Sequence, residues 1–146
     1  MTHQQLCARL HELKPEYKGI KDKRWALTPT VLKFDKPDKY GNQESHGEDY
    51  EWKIKLPYNG IHPWKPKLEI PYFDLEYVLD KLPANFIYNS KSLSLSLYKG
   101  VSGYTVYYKN ISFDDMESYF SSGYEQKDLL TPALEVLIKL IEEGIV

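Results

Sequence analysis

The last stretch of the chain, TPALEVLIKLIEEGIV (131–146), has the clearest hydrophobic pattern. Its apolar residues recur at i, i+3, i+4 and i+7, the spacing of one helical face: Leu134, Leu137, Ile138 and Ile141. Thr131 stands where an N-cap is expected, and Gly144 where a helix stops. Four more apolar residues widen the stripe beyond one face: Val136, Leu140, Ile145 and Val146. The pattern therefore predicts a helix that the rest of the domain surrounds.

Two shorter helices are predicted nearer the N-terminus and in the middle of the chain. Thr2 and Gln5 have the spacing of a capping box, and leucines follow at helical spacing until Pro15 ends the pattern. Asp74 precedes a second apolar stripe over 75–82, which Pro83 terminates.

Alternation of apolar and polar residues predicts strands over 50–56, 92–98 and 104–109. In SLSLSLY (92–98), the leucines Leu93, Leu95 and Leu97 are expected to point inward and the serines outward. The last two strands form a hairpin across 99–103, whose two glycines suit a tight turn. Glycines, prolines and charges over about 35–49 predict an exposed loop, and repeated prolines over 57–72 predict an extended crossing.

This order of elements predicts an α+β fold of two layers. We expect an antiparallel sheet of three or more strands, covered on one face by the C-terminal helix. The length of 146 residues and the 42% hydrophobic content favour a single domain over 1–146.

Composition further predicts a cytoplasmic protein that has no membrane partner. The sequence contains no apolar run of membrane-spanning length, and its first 14 residues lack the apolar core of a secretory signal. One cysteine, Cys7, excludes an internal disulfide framework and suits a reducing compartment.

Charge is distributed unevenly along the chain. Residues 1–70 hold 13 Lys and Arg against 10 Asp and Glu, whereas residues 111–146 hold 2 against 8. The two ends are expected to attract each other in the fold. The surplus of three positive charges is well below the bias that domains binding polyanions usually show.

The first predicted helix carries the one thiol of the chain between two imidazoles. His3, Cys7 and His11 stand at i, i+4 and i+8 and would share one side of the helix. A thiolate with imidazoles can bind zinc or act as a nucleophile, but a structural zinc site needs four ligands. We therefore expect Cys7 to pack at the edge of the core, with no metal, cofactor or catalytic residue in the protein.

A basic and aromatic segment over 14–25 is the alternative functional site. Its residues would contact single-stranded nucleic acid through phosphates and stacking: Lys18, Lys21, Lys23, Arg24 and Trp25. A second cluster would extend it: Lys53, Lys55, Lys65 and Lys67 with Trp52, Tyr58 and Trp64. Asp114, Asp115 and Glu117 are interpreted as capping and solubilising residues in preference to a Mg²⁺ site.

The sequence contains no GxSxG, P-loop, GxGxxG or HExxH motif. Thirteen tyrosines and three tryptophans exceed what one modest core absorbs, and protein interfaces favour these residues. We therefore expect a non-enzymatic protein-binding or self-associating module.

Two stretches, FDLEYVLDKLP (73–83) and TPALEVLIKLIEEGI (131–145), resemble segments of small bacteriophage and prophage proteins. The resemblance implies an accessory protein of a phage or mobile element. In outline, the order of helix, three strands and helix is also similar to the double-stranded-RNA-binding domain. That family has a basic cluster at the start of its last helix, where this chain has Lys127 followed by Asp128, Leu129 and Leu130.

Overall fold

The computed structural model describes residues 1–56, 66–112 and 117–146, except for the side chains of Leu32 and His46. Within these ranges the fold is α+β, as predicted, with three helices and two antiparallel sheets. The elements are α1 (His3–Leu13), β1 (Arg24–Phe34), β2 (Ser45–Lys55), β3 (Leu68–Pro71), α2 (Leu75–Lys81), β4 (Asn85–Tyr88), β5 (Lys91–Lys99), β6 (Tyr104–Asn110), β7 (Ser118–Tyr119) and α3 (Leu130–Glu142).

The chain divides into two compact units. The discontinuous unit comprises Met1–Gly19 and Phe73–Val146, and the inserted unit comprises Ile20–Tyr72. The ends of the inserted unit are adjacent, because the N–H of Ile20 donates to the carbonyl oxygen of Tyr72 at 3.0 Å. The inserted unit is thus an excursion of the chain between α1 and α2, and one domain over 1–146 stays a prediction.

Helix α3 forms the core of the discontinuous unit, as its pattern predicted. It contacts α1, α2 and β6. Because it meets neighbours on several sides, its buried residues exceed a single stripe: Pro132, Ala133, Leu134, Val136, Leu137, Ile138 and Leu140.

The ends of α3 differ in how well the sequence predicted them. The assignment of Thr131 as N-cap was wrong, since the helix begins at Leu130, and Asp128 accepts hydrogen bonds from the N–H (2.7 Å) and hydroxyl (3.0 Å) of Thr131. The expected stop at Gly144 is confirmed. Its φ of 75° allows the N–H of Gly144 to bond Ile141 and that of Ile145 to bond Leu140, the pair of bonds in a Schellman motif.

The two shorter helices also follow their sequence patterns. Thr2 and Gln5 form both hydrogen bonds of the capping box at the start of α1. Asp74 caps α2 by accepting from the N–H of Tyr77 at 2.8 Å. These local bonds satisfy N–H groups that the first helical turn leaves unpaired.

The four-stranded sheet has the order β4-β5-β6-β7 and contains the predicted hairpin, β5 and β6. Leu93 is buried, and the register places Leu97 on the same face, opposite buried Val106, but the Leu97 side chain is 51% exposed. The reason is the short β4, which pairs with β5 only over Lys91–Ser94 and follows Pro83, a residue that cannot donate to a ladder. The end of β5 therefore extends past β4, although it remains paired with β6.

The three-stranded sheet, order β2-β1-β3, belongs to the inserted unit. The predicted strand over 50–56 is the second half of β2, which begins at Ser45, so the exposed connection is 35–44. Strand β1 was not predicted because Pro29 interrupts its apolar run. The carbonyl oxygen of Leu27 accepts from the N–H of Lys67, so this edge of β1 faces β3. Two residues on, the nitrogen of Pro29 is directed to the same edge, but it lies past the first residue of β3. Pro29 is therefore tolerated, because no β3 residue is paired there to need its missing N–H.

Some predicted features lie outside the described residues. They are the crossing residues 57–65, with Tyr58, His62, Trp64 and Lys65, and the acidic residues Asp114 and Asp115. Within the described part of the chain, no helix is both long enough and apolar enough to span a membrane.

Candidate functional site

The thiol and imidazole cluster on α1 is held by packing. Cys7 is fully buried, and its Sγ lies 3.4 Å from Nε2 of His3, which is itself 3.0 Å from the carbonyl oxygen of Phe73. Because a carbonyl oxygen only accepts, Nε2 must carry the proton in that hydrogen bond. Nε2 therefore cannot also take the proton of the thiol, as a nucleophilic cysteine pair requires.

Burial also favours the uncharged form of His3. Desolvation lowers its pKa from 6.5, and this effect exceeds the opposing influence of the Phe73 carbonyl and the Asp128 charge. A neutral imidazole does not stabilise a thiolate. Within the described residues, His, Cys, Asp and Glu form no group of three or more that could hold a metal ion, and His11 Nδ1 is buried without a hydrogen-bond partner.

One face of the three-stranded sheet is apolar where its pairing is regular. Trp25 lies between Ile54 and Ile70, and Leu27 lies between Trp52 and Leu68. Directly opposed residues share a face of an antiparallel sheet. We call this surface the apolar face, formed by Trp25, Leu27, Pro29, Tyr50, Trp52, Ile54, Leu68 and Ile70.

Part of the apolar face is accessible. Ile70 and Pro29 are buried, whereas Tyr50, Ile54 and Leu68 are 39%, 42% and 52% exposed. A sheet face in water normally carries polar side chains. Accessible aliphatic and aromatic groups on one face of a sheet are instead typical of a docking surface.

Aromatic rings and lysines border the apolar face. Tyr72 stacks on Trp25 with ring centroids 5.7 Å apart, and Lys23 Nζ lies 5.4 Å from the centre of the Tyr72 ring. At the other end, Lys67 Nζ lies 4.9 Å from the Tyr50 ring. Cation–π contacts of this kind fix the aromatic rings.

The opposite face of the same sheet is charged. It carries two ion pairs, Lys53–Glu51 at 2.8 Å and Lys55–Glu69 at 2.6 Å. Arg24 is the direct cross-strand partner of Lys55, so two cations face each other across the ladder. Like charges in this position destabilise a sheet.

A surface depression of about 260 Å³ collects several of these cations. We call it the basic depression, lined by Lys21, Asp22, Lys23, Arg24, Lys55 and Leu56. Its four cations against one carboxylate give a local positive potential that the net charge of the protein does not reveal.

The structure thus separates the residues that the sequence grouped for nucleic-acid contact. Lys21, Lys23 and Arg24 lie together in the depression. Trp25 belongs to the apolar face, and Lys18 belongs to the discontinuous unit, where it donates to Pro15 at 3.3 Å. Lys55, assigned by sequence to a separate cluster, joins the depression through the strand register.

Comparison of the chain with protein-family models, with curated proteins and with solved structures finds no match.

Proposed function

We propose that the protein is a non-enzymatic module that binds another protein, or a second copy of itself, through the apolar face of the inserted unit. The observation that carries this proposal is the exposure of Tyr50, Ile54 and Leu68 on the two outer strands of the sheet, β2 and β3. Removing such groups from water favours a complex by roughly 25 cal/mol per Å² of apolar area, before the entropy lost on association is subtracted.

The composition of the face supports a protein partner. Trp25, Trp52 and Tyr50 are of the residue types that dominate the binding energy of protein interfaces. Trp25 and Trp52 are half-buried, so they are already ordered before binding and lose little further rotamer freedom.

The chain topology also supports the proposal. The chain enters the inserted unit at Ile20 and leaves it at Tyr72, and these two residues are hydrogen-bonded to each other. The core of the discontinuous unit is formed by α3. Binding surfaces are commonly carried on segments that a separate core holds in place. The discontinuous unit is accordingly the scaffold in this proposal.

We also propose a cytoplasmic location and a role as an accessory protein of a phage or mobile element. The single cysteine supports the first, and the resemblance of 73–83 and 131–145 to phage and prophage proteins supports the second. Genomic neighbourhood tests the context, since a gene outside any phage or mobile-element cluster would contradict it.

Binding is tested by replacing Ile54 and Leu68 with glutamine. Sedimentation velocity over a range of concentrations measures self-association, and affinity capture from a host lysate measures binding to other proteins. The double variant should lose the complex that the wild-type protein forms. Lys53→Gln is the matched control, because Lys53 is exposed on the opposite face of the same strand.

The control should retain the complex. Equal complex formation by the Ile54 and Leu68 double variant and by the wild type would exclude the apolar face as the binding surface. A monomer that captures no protein would contradict the proposed function itself.

A further inference from the structure

We infer that the basic depression binds the phosphate backbone of single-stranded nucleic acid. The depression lies at the end of the three-stranded sheet, and its strand residues Arg24 and Lys55 are on the face opposite Trp25 and Ile54. The cations of the depression therefore lie apart from Ile54 and Leu68, the residues replaced to test protein binding.

Three of the four cations in the depression lack a carboxylate partner within the described part of the protein. Lys33, Lys53 and Lys55 each have a glutamate within ion-pair distance. Among the described residues, Lys21, Lys23 and Arg24 have no carboxylate within that distance. These three charges are available to an external anion.

Arg24 and Lys55 are directly opposed across the β1–β2 ladder. Glu69 neutralises part of the Lys55 charge at 2.6 Å, but the register still places a guanidinium opposite an ammonium. A phosphate between them would replace this repulsion by two charge-assisted hydrogen bonds. Relief of the repulsion adds to the affinity for an anion.

The aromatic rings beside the depression indicate the kind of anion that it binds. Lys23 connects the depression to the stacked pair of Tyr72 and Trp25, whose rings are both half-buried and so keep some accessible surface. Cations beside accessible aromatic rings are the combination that binds single strands by phosphate contact and stacking. Because the four cations form a compact cluster, they suit a flexible single strand, whose phosphates can adjust their positions to the cations.

The test is fluorescence anisotropy of the full-length protein with a labelled oligothymidylate of about 20 nucleotides, titrated between roughly 50 and 200 mM salt. Wild-type protein should bind, with affinity falling as salt rises. The variant Lys21→Gln/Arg24→Gln should bind at least about tenfold more weakly, and its slope of log affinity against log salt should be smaller by about 1.4, about 0.7 for each lost contact.

The matched control is Lys36→Gln/Lys39→Gln, which removes two exposed charges from the connection 35–44 of the same unit. It should keep most of the affinity, and urea melts should show that both variants are folded. No binding by the wild-type protein at about 50 µM and low salt, or equal losses in the two variants, would overturn the inference.

Two further arms separate the possible sources of the signal. Inorganic phosphate at matched ionic strength should leave the oligonucleotide bound. Displacement of the oligonucleotide by phosphate would contradict a nucleic-acid site and indicate a site for single phosphate groups. The variant Ile54→Gln/Leu68→Gln should bind the oligonucleotide as the wild type does. Loss of binding in that variant would place the oligonucleotide on the apolar face and overturn the assignment to the depression.

Discussion

Leu137 and Ile141 share one stripe of α3 in the sequence, but only Leu137 is fully buried. Truncating a fully buried leucine removes its transfer energy and leaves a cavity, so Leu137→Ala should cost about 2 to 5 kcal/mol. Ile141→Ala should cost less, since that side chain is partly exposed already. Urea unfolding of both variants measures the difference. Equal costs would contradict the position of Leu137 at the centre of the core.

The lowered pKa of His3 predicts a pH dependence of stability. The folded chain holds the proton of His3 less tightly than the unfolded chain, whose pKa is the ordinary 6.5. The contribution of neutral His3 is therefore complete above about pH 6.5 and is lost as the pH falls below that value. Between about pH 8 and pH 5, the wild-type Tm should fall further than that of His3→Gln. Parallel curves would contradict the desolvation of His3.

At the scale of elements, the helices and the β5–β6 hairpin were predictable because their signals are local. The capping pair of Thr2 and Gln5 and the glycine at 144 act within a few residues. Strand β1 and the extra length of β2 were not predictable. Pro29 breaks the apolar run, and Asp49 adopts a φ of 50° inside β2, so strict alternation is absent there.

The candidate sites show the same division between local and non-local signals. The sequence placed Lys21, Lys23 and Arg24 together because they are neighbours in the chain. It could not place Lys55 beside Arg24, because that contact depends on the register of β1 against β2. It grouped Trp25 with the cations, although alternation turns its side chain to the other face.

Gly103, in the turn of the β5–β6 hairpin, should tolerate substitution less well than Gly144 at the end of α3. Gly103 and Gly144 both have positive φ, but only a Cβ at Gly103 would overlap a neighbour, the backbone carbonyl of Gln126. That residue pairs with Tyr104 through two backbone hydrogen bonds of 2.7 and 2.9 Å. Gly144→Ala should cost about 1 kcal/mol for its left-handed backbone, and Gly103→Ala should cost clearly more in urea melts. Similar costs would contradict the close approach at Gly103.

At the scale of the whole molecule, the two units differ in charge and in the role proposed for each. The discontinuous unit carries a formal charge of −4, from 9 Lys and Arg against 13 Asp and Glu. The inserted unit carries +2, from 10 against 8. The uneven distribution of charge along the sequence is therefore also a difference in charge between the two units. The α3 core and the proposed binding surfaces likewise lie in different units.

We expect the discontinuous unit to fold around α3 without the inserted unit, because α3 and the elements it contacts, α1, α2 and β6, all lie within it. A chain in which a short Gly/Ser linker replaces Ile20–Tyr72 tests this expectation directly, since the ends of the insertion are held 3.0 Å apart from N–H nitrogen to carbonyl oxygen. The shortened chain should unfold cooperatively in urea, and Leu137→Ala should destabilise it by about 2 to 5 kcal/mol, as in the full chain. A shortened chain without a cooperative unfolding transition would contradict independent folding of the discontinuous unit.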